Sequence, residues 1–297
     1  MFLSYSGFKT YKDCPRQYFH RYVDKTKLPK PDNRVHMLYG DAVGKLFEAF
    51  YSERLWRQNV VDSMHLRVEL TLQRIIQNET RKGGVFDWAD PELKPGTRSL
   101  EEVEAEVRET IPRGLRSIKH HSLMGQDAAA EVKLDQFTNG HQLAGRADFL
   151  MRRVSPHKDL IILDGKGSRW RDKYVSRTQL LWYSMLYWMQ HNTLPDRLGF
   201  LFWRFDPSES VDWSEVRVSE VQSLQTSALT AIESIEQATK ELVQLRLGEK
   251  DAAPGMLFWA NPSSECKLCS YQSLCPEGRA KPPKGEAFGV EAGDFSF

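Results

Sequence analysis

Two short segments carry residues able to do chemistry: GRADFL at 145–150 and LIILDGKGS at 160–168. In an extended strand alternate residues share a face, so Asp164 and Lys166 point one way and Gly165 the other. Asp148, sixteen residues before Asp164, falls on the preceding strand of a predicted antiparallel pair. That pairing sets the two carboxylates side by side, with Lys166 one step further along. Close carboxylates repel, and burying them is costly unless a divalent cation neutralises them. Hard oxygen donors suit Mg²⁺ or Mn²⁺. A lysine beside the cation can orient water or stabilise negative charge on a phosphorane-like transition state. The set fits phosphodiester hydrolysis. Glu131, on the strand before Asp148, is a candidate third carboxylate, with an ordinary exposed strand residue as the alternative.

The four cysteines form a second set. Cys266, Cys269 and Cys275 follow a C-x-x-C-x5-C spacing, and Cys14 stands alone near the start. Without a secretory signal this pattern favours a metal centre over disulfides. A short C-x-x-C with a fourth ligand elsewhere suits Zn²⁺. Proline after both Cys14 and Cys275 is familiar at iron–sulfur ligands. Spacing leaves both metals open.

A third set surrounds the lysine on its C-terminal side. Arg169, Arg171, Lys173 and Arg177, interleaved with Trp170 and Tyr174, have the composition for backbone contacts and base stacking on single-stranded DNA; a solvated loop leading into a helix is the alternative. The formal net charge is only +1, from 41 Lys+Arg against 40 Asp+Glu, but it is segregated. Residues 1–34 and 152–177 each hold eight basic side chains against three Asp, whereas 101–109 holds five Glu and one Arg. Segregated basic patches can attract a polyanion despite a neutral total. With 40% hydrophobic and 27% charged residues the composition is that of a soluble globular protein. No apolar run approaches the ~18 residues of a membrane span. The polar, basic N-terminus does not read as a signal peptide, so a soluble, cytoplasmic protein with no membrane association is predicted.

The elements that must position these residues follow from periodicity. Helices are predicted over Ser6–Val23, Tyr39–Trp56, 63–81 and 99–119, with a turn-rich loop at 81–97. From about residue 128 the period changes to two: 128–137, a turn at Thr138-Asn139-Gly140, and 141–153 form a β-hairpin. A buried strand at 159–168, a helix from about Val175 to Gln190, and a strand at 197–205 follow. Ser219–Leu247 reads as a long helix opened by a capping box of Ser219 and Gln222. The last 50 residues read as loop. This order makes a mixed α/β core with a helical N-terminal part and a Cys-containing end piece.

GRADF, ILDGKGS sixteen residues on, and Gln179–Tyr183 at the start of a helix resemble the PD-(D/E)XK nuclease superfamily. Within it they resemble the RecB-like branch, with its Asp…Asp-x-Lys…Gln-x-x-x-Tyr order. Cys14 in Tyr11-Lys-Asp-Cys14-Pro-Arg-Gln-Tyr18, with the C-terminal triplet, is similar to the iron–sulfur subgroup that includes AddB nuclease domains and CRISPR-associated adaptation exonucleases. The resemblance implies an α/β restriction-endonuclease-like core, a mixed central sheet flanked by helices, and a C-terminal iron–sulfur loop. It implies Asp148, Asp164 and the Gly165 carbonyl as Mg²⁺ or Mn²⁺ ligands, and Asp148, Asp164 and Lys166 as catalytic. Gln179 and Tyr183, i and i+4 on one helix face, would line the DNA cleft. Cys14, Cys266, Cys269 and Cys275 would bind a structural [4Fe–4S] cluster. The expected activity is a single-stranded DNA exonuclease, 5′→3′ favoured, with endonuclease action and a helicase, recombination or adaptation partner as further expectations. The family's early-helix His is replaced here by Gly44, with Glu48 one turn onward able to reach the same cation. That replacement motivates a second reading, a non-hydrolytic DNA-end-binding or recruitment subunit. The implied organisation is a helical part at 1–127, a nuclease core at 128–250, an iron–sulfur segment at 251–280 and a tail at 281–297.

Overall fold

A computed structural model of the chain describes residues 1–26, 33–57, 59–81, 86–88, 96–125, 127–171, 175–248 and 254–279. The chain divides into two compact units, Met1–Tyr5 with Lys30–Thr230, and Ser6–Pro29 with Ala231–Phe297.

The first unit is built on a mixed sheet. Its strands are β1 (Phe2–Ser4), β4 (Ala129–Thr138), β5 (His141–Arg152), β6 (Leu160–Lys166), β7 (Arg197–Phe202) and β8 (Val211–Ser214); β2 (Asn33–Arg34) and β3 (Phe86–Asp87) form a separate two-residue parallel pair. The hairpin β4–β5 turns at Asn139 and Gly140, both in the left-handed region, as a two-residue hairpin turn requires. Along its other edge β5 pairs parallel with β1 and antiparallel with β6. Strand β6 pairs parallel with β7 across a helical crossover, and β7 antiparallel with β8. Leu160–Asp164 are all buried, which suits an uninterrupted apolar run in the middle of a sheet.

Helices flank the sheet, making the mixed α/β architecture the sequence predicts. Helix α3 (Val35–Ser52), α4 (Val60–Arg81) and α5 (Leu100–His120) share one core with the sheet, in which Leu46 and Phe47, Val68 and Leu72, and Val107 and Ile111 meet Phe149 and Ile161. Helix α5 opens with a capping box between Ser99 and Glu102. Helix α6 (Arg177–His191) packs on Gly145, where a Cβ would come within 2.8 Å of Leu186, and Trp182 donates to the Ala144 carbonyl at 3.0 Å. The absent side chain lets the helix approach the strand closely.

In the second unit, α1 (Tyr5–Asp13, of which Ser6 onward belongs here) stops at Cys14. Cys14 is extended because Pro15 disfavours a helical conformation in the residue before it. Helix α2 (Pro15–Tyr18) and a π-helical turn (Phe19–Val23) follow, so the single helix predicted over Ser6–Val23 is three pieces. Helix α7 (Val218–Arg246) enters this unit at Ala231; α8 (Pro254–Leu257), 3₁₀ turns at Ser264–Leu268 and Gln272–Leu274, and α9 (Pro276–Arg279) give short helical turns to an end expected as loop. Helix α7 does not begin with the Ser219–Gln222 box: Glu220 accepts the Arg217 N–H at 2.9 Å instead. Most of the 81–97 loop, Lys173, Tyr174 and the 281–297 tail lie outside the described residues.

Candidate active site

The β5–β6 ladder ends at the pair Phe149 and Leu163, and Asp148 and Asp164 are the next residues beyond it on the two strands. The Gly165 N–H donates to Asp148 Oδ2 at 2.8 Å. Asp164 Oδ1 accepts from Gln179 Nε2 at 2.9 Å, and Asp164 Oδ2 forms an ion pair with Lys166 Nζ at 2.6 Å. Lys166 also donates to Gln179 Oε1 at 3.5 Å, so one amide touches both the acid and the base of the Asp-x-Lys pair. Tyr183 is buried, and its hydroxyl accepts from Gln179 Nε2 at 2.9 Å. Burial holds the phenol well above its ordinary value. Here Tyr183 acts on Gln179 from within the core.

Burial pushes both aspartates upward. For Asp148 desolvation is the largest cause and the Asp164 charge the next, opposed by the Gly165 N–H and Lys166. For Asp164, which is 2% exposed, desolvation outweighs Lys166. Two acids held this way resist carrying two negative charges, a conflict that a cation would relieve.

Asp148 and Gly165 open into a cleft of about 400 Å³, whose walls include Asp41, Gly44 and Glu48 from α3, Glu79 from α4, and Glu131. Glu131 sits opposite Asp148 with a left-handed backbone (φ 55°), interrupting the β4–β5 ladder, and lies 2.7 Å from Arg146. Its charge also raises Asp148. Glu48 is paired with Lys45. Asp41 and Glu79 are not singled out by the sequence; for Asp41 the signal is the polar stripe Asp41, Lys45 and Glu48 on an otherwise apolar helix, whereas Glu79 on α4 has no such local mark. Among the described residues, no three His, Cys, Asp or Glu groups converge tightly enough to hold a metal ion. The two raised aspartates nonetheless have the oxygen-donor chemistry that suits Mg²⁺ or Mn²⁺.

The arginines downstream of Lys166 each face a carboxylate. Arg169 reaches Glu106 at 3.3 Å, an acid also paired with Arg98 and Arg204. Arg171 reaches Asp212 at 3.0 Å and stacks over Phe205, while Arg177 grips Glu220 with both terminal nitrogens. Trp170 is exposed.

In the second unit Cys14, Cys266, Cys269 and Cys275 line one small pocket together with Arg16 and His20. All four thiols are unbridged. Backbone N–H groups point at two of them, Ser263 N at Cys266 Sγ and Gly278 N at Cys275 Sγ, each at 3.3 Å. Burial raises Cys269 and Cys275. Arg16 ties the pocket's N-terminal side to the segment before Cys266, donating to the Phe258 carbonyl through Nε at 2.6 Å and to the Trp259 carbonyl through its backbone at 3.0 Å.

The sequence profile of the PD-(D/E)XK nuclease superfamily matches residues 2–276. The chain belongs to this superfamily. As a PD-(D/E)XK protein it carries its Asp148, Asp164 and Lys166 on adjoining strands of the mixed sheet. Solved structures similar to it include SSO0001 (12% identity, 86% of this chain and 91% of that one, TM-score 0.32). An Eubacterium rectale protein named as a putative exonuclease is 13% identical over 95% of this chain and 90% of that one, with a TM-score of 0.41. VC1899 from Vibrio cholerae is 12% identical over 77% of this chain and 52% of that one, with a TM-score of 0.22. Among curated proteins no relative matches the chain. No described helix is long and apolar enough to cross a membrane.

Proposed function

We propose that this PD-(D/E)XK protein is a Mg²⁺- or Mn²⁺-dependent DNA nuclease acting on single-stranded ends, 5′→3′, in the cytoplasm. The observation that carries the reading is Asp148 and Asp164 side by side just beyond the end of the β5–β6 ladder, with Lys166 and Gln179 bonded to Asp164. Asp148 and Asp164 are the metal ligands, with the Gly165 carbonyl beside them. A bound divalent ion supplies Lewis acidity and charge neutralisation at the phosphoryl group. The Gly165 N–H holds Asp148 in place, and Gln179 orients Asp164. Lys166 Nζ stabilises charge developing on the phosphoryl oxygens, and Gln179 Oε1 directs it. Arg169, Arg171 and Arg177 contact the strand by exchanging their carboxylates for phosphates, a modest cost for partly exposed pairs.

The same reading assigns Cys14, Cys266, Cys269 and Cys275 to a structural [4Fe–4S] cluster. Their shared pocket and the N–H groups aimed at two sulfurs support it, since such hydrogen bonds accompany cluster thiolates. Unwinding would come from a helicase, recombination or adaptation partner. The test is cleavage of end-labelled single strands by anaerobically purified protein with Mn²⁺, the label's position reporting polarity and endonucleolytic cuts. Activity that survives Asp164→Ala or Lys166→Ala overturns the assignment.

Gly44 and the lack of three convergent ligand groups among the described residues favour a second reading, a DNA-end-binding subunit that does not hydrolyse. DNA binding without cleavage across several metals would select it.

A further inference from the structure

Helix α3 contributes to a second cavity beyond the carboxylate cleft. Its volume is about 370 Å³, and its walls are Tyr51, Arg54, Trp56, Arg57, Met124 and Gly125. Glu48 lines the cleft and Tyr51 lines this pocket; they are i and i+3 on α3, about 4.5 Å apart along its axis. The Tyr51 ring packs on Phe149, which lines the cleft, at 5.2 Å between centroids. The two cavities are therefore neighbours on either side of a Tyr51–Phe149 wall.

The pocket has the chemistry of a nucleotide site. Arg54 and Arg57 are exposed, and among the described residues neither forms an ion pair, in contrast to Arg169, Arg171 and Arg177. Arg54 adopts a left-handed backbone (φ 53°), a conformation disfavoured for a residue with a Cβ. It is held there by hydrogen bonds from its own N–H to the Tyr51 carbonyl and from the Arg57 N–H to its carbonyl. Trp56 is half-buried and packs on Phe50 and Tyr51, so its indole is fixed in orientation. Two carboxylate-free guanidinium groups beside a rigid aromatic wall suit one phosphate and one stacked base.

The geometry points to a nucleotide subsite here, with Arg54 and Arg57 taking a phosphate and Trp56 a base of the strand whose neighbouring nucleotide occupies the carboxylate cleft. This deepens the nuclease reading and rests on it for the strand's path. A nucleoside monophosphate released from the strand presents the same chemistry, and the test separates the two sources.

Binding of fluorescein-labelled oligo(dT) is measured by anisotropy in EDTA, so no cleavage is required. Arg54→Ala/Arg57→Ala, both at exposed positions, is expected to fold as wild type, to bind about tenfold more weakly, and to lose about 0.7 from the slope of log affinity against log salt, the share of one phosphate. Trp56→Ala is expected to weaken binding about fivefold or more. Thymidine monophosphate competing with the wild type as well as an oligonucleotide does would identify the released nucleotide, not the strand, as occupant and overturn the strand assignment. Unchanged affinity and slope in the arginine variant, or no oligonucleotide binding by the wild type, overturns the subsite. A wild type that binds through Arg54 and Arg57 but cleaves nothing with Mn²⁺ defeats the nuclease reading alone. One that cleaves normally while the arginine variant binds as wild type defeats the subsite alone.

Discussion

Asp148 accepts a 2.8 Å hydrogen bond from the backbone N–H of Gly165, the residue separating Asp164 from Lys166. The bond fixes one acid against the strand carrying the other acid and the lysine. It also commits one oxygen of a half-buried carboxylate whose neighbour, Asp164, is a fully buried one. The strands thus hold two like charges close together without neutralising both.

Removing one of these charges should stabilise the protein when no metal is present. Asp148→Asn is expected to raise the melting temperature in chelator while abolishing cleavage. Mn²⁺ is expected to raise the wild-type melting temperature, by the equivalent of about 2.7 kcal/mol at a hundredfold excess over its dissociation constant, and to leave the variant unmoved. Calorimetry with and without Mn²⁺ checks both.

Gly44 lies within α3 beside the cleft, and a Cβ built there meets nothing within 4 Å. Gly44→Ala is expected to stabilise the fold by about 0.5–1 kcal/mol, because glycine loses more backbone entropy in a helix. Gly44→His places an imidazole over the cleft and is expected to lower the Mn²⁺ concentration needed for cleavage. Denaturant melts and a metal titration of activity report the two effects.

Arg153 and Asp159 form a two-pronged pair at 2.6 Å, with Arg153 5% exposed. Asp159→Asn should cost about 3 kcal/mol by leaving a buried guanidinium without its carboxylate. The Arg153 hydrogen bonds hold the Asp159 carboxyl below its ordinary value. Its contribution is therefore present above the unfolded carboxyl's pKa and lost as pH falls through the lower folded one. Urea melts from neutral pH down into the acid range should show wild type and Asp159→Asn converging at the acid end.

Each of Cys14→Ser, Cys266→Ser, Cys269→Ser and Cys275→Ser should reduce bound iron and sulfide together and bleach the brown visible absorbance of anaerobically purified protein. Retained zinc with no sulfide in the wild type would point to a mononuclear zinc centre instead. Elemental analysis distinguishes them.

Local patterns carried much of this. The two-residue period of 128–153 foretold the β4–β5 hairpin, and alternation along β6 put Asp164 and Lys166 on one face. The helix expected over 6–23 breaks at the Cys14–Pro15 step, a local effect of the proline on its predecessor that apolar periodicity does not register. Strand β1 was not legible, since three residues have no period of their own and pair with β5 from more than a hundred positions away.

The sequence by itself determined which residues could do chemistry and which of them share a strand or helix face, because backbone geometry repeats over a few residues. Partnership was decided only in the tertiary structure. The placement of Asp148 beside Asp164, the acids facing Arg169, Arg171 and Arg177, and the contribution of Asp41 and Glu79 to the cleft all depend on register and packing between distant segments. Residue type says that a charge needs a counter-charge or water; only the folded chain supplies which one.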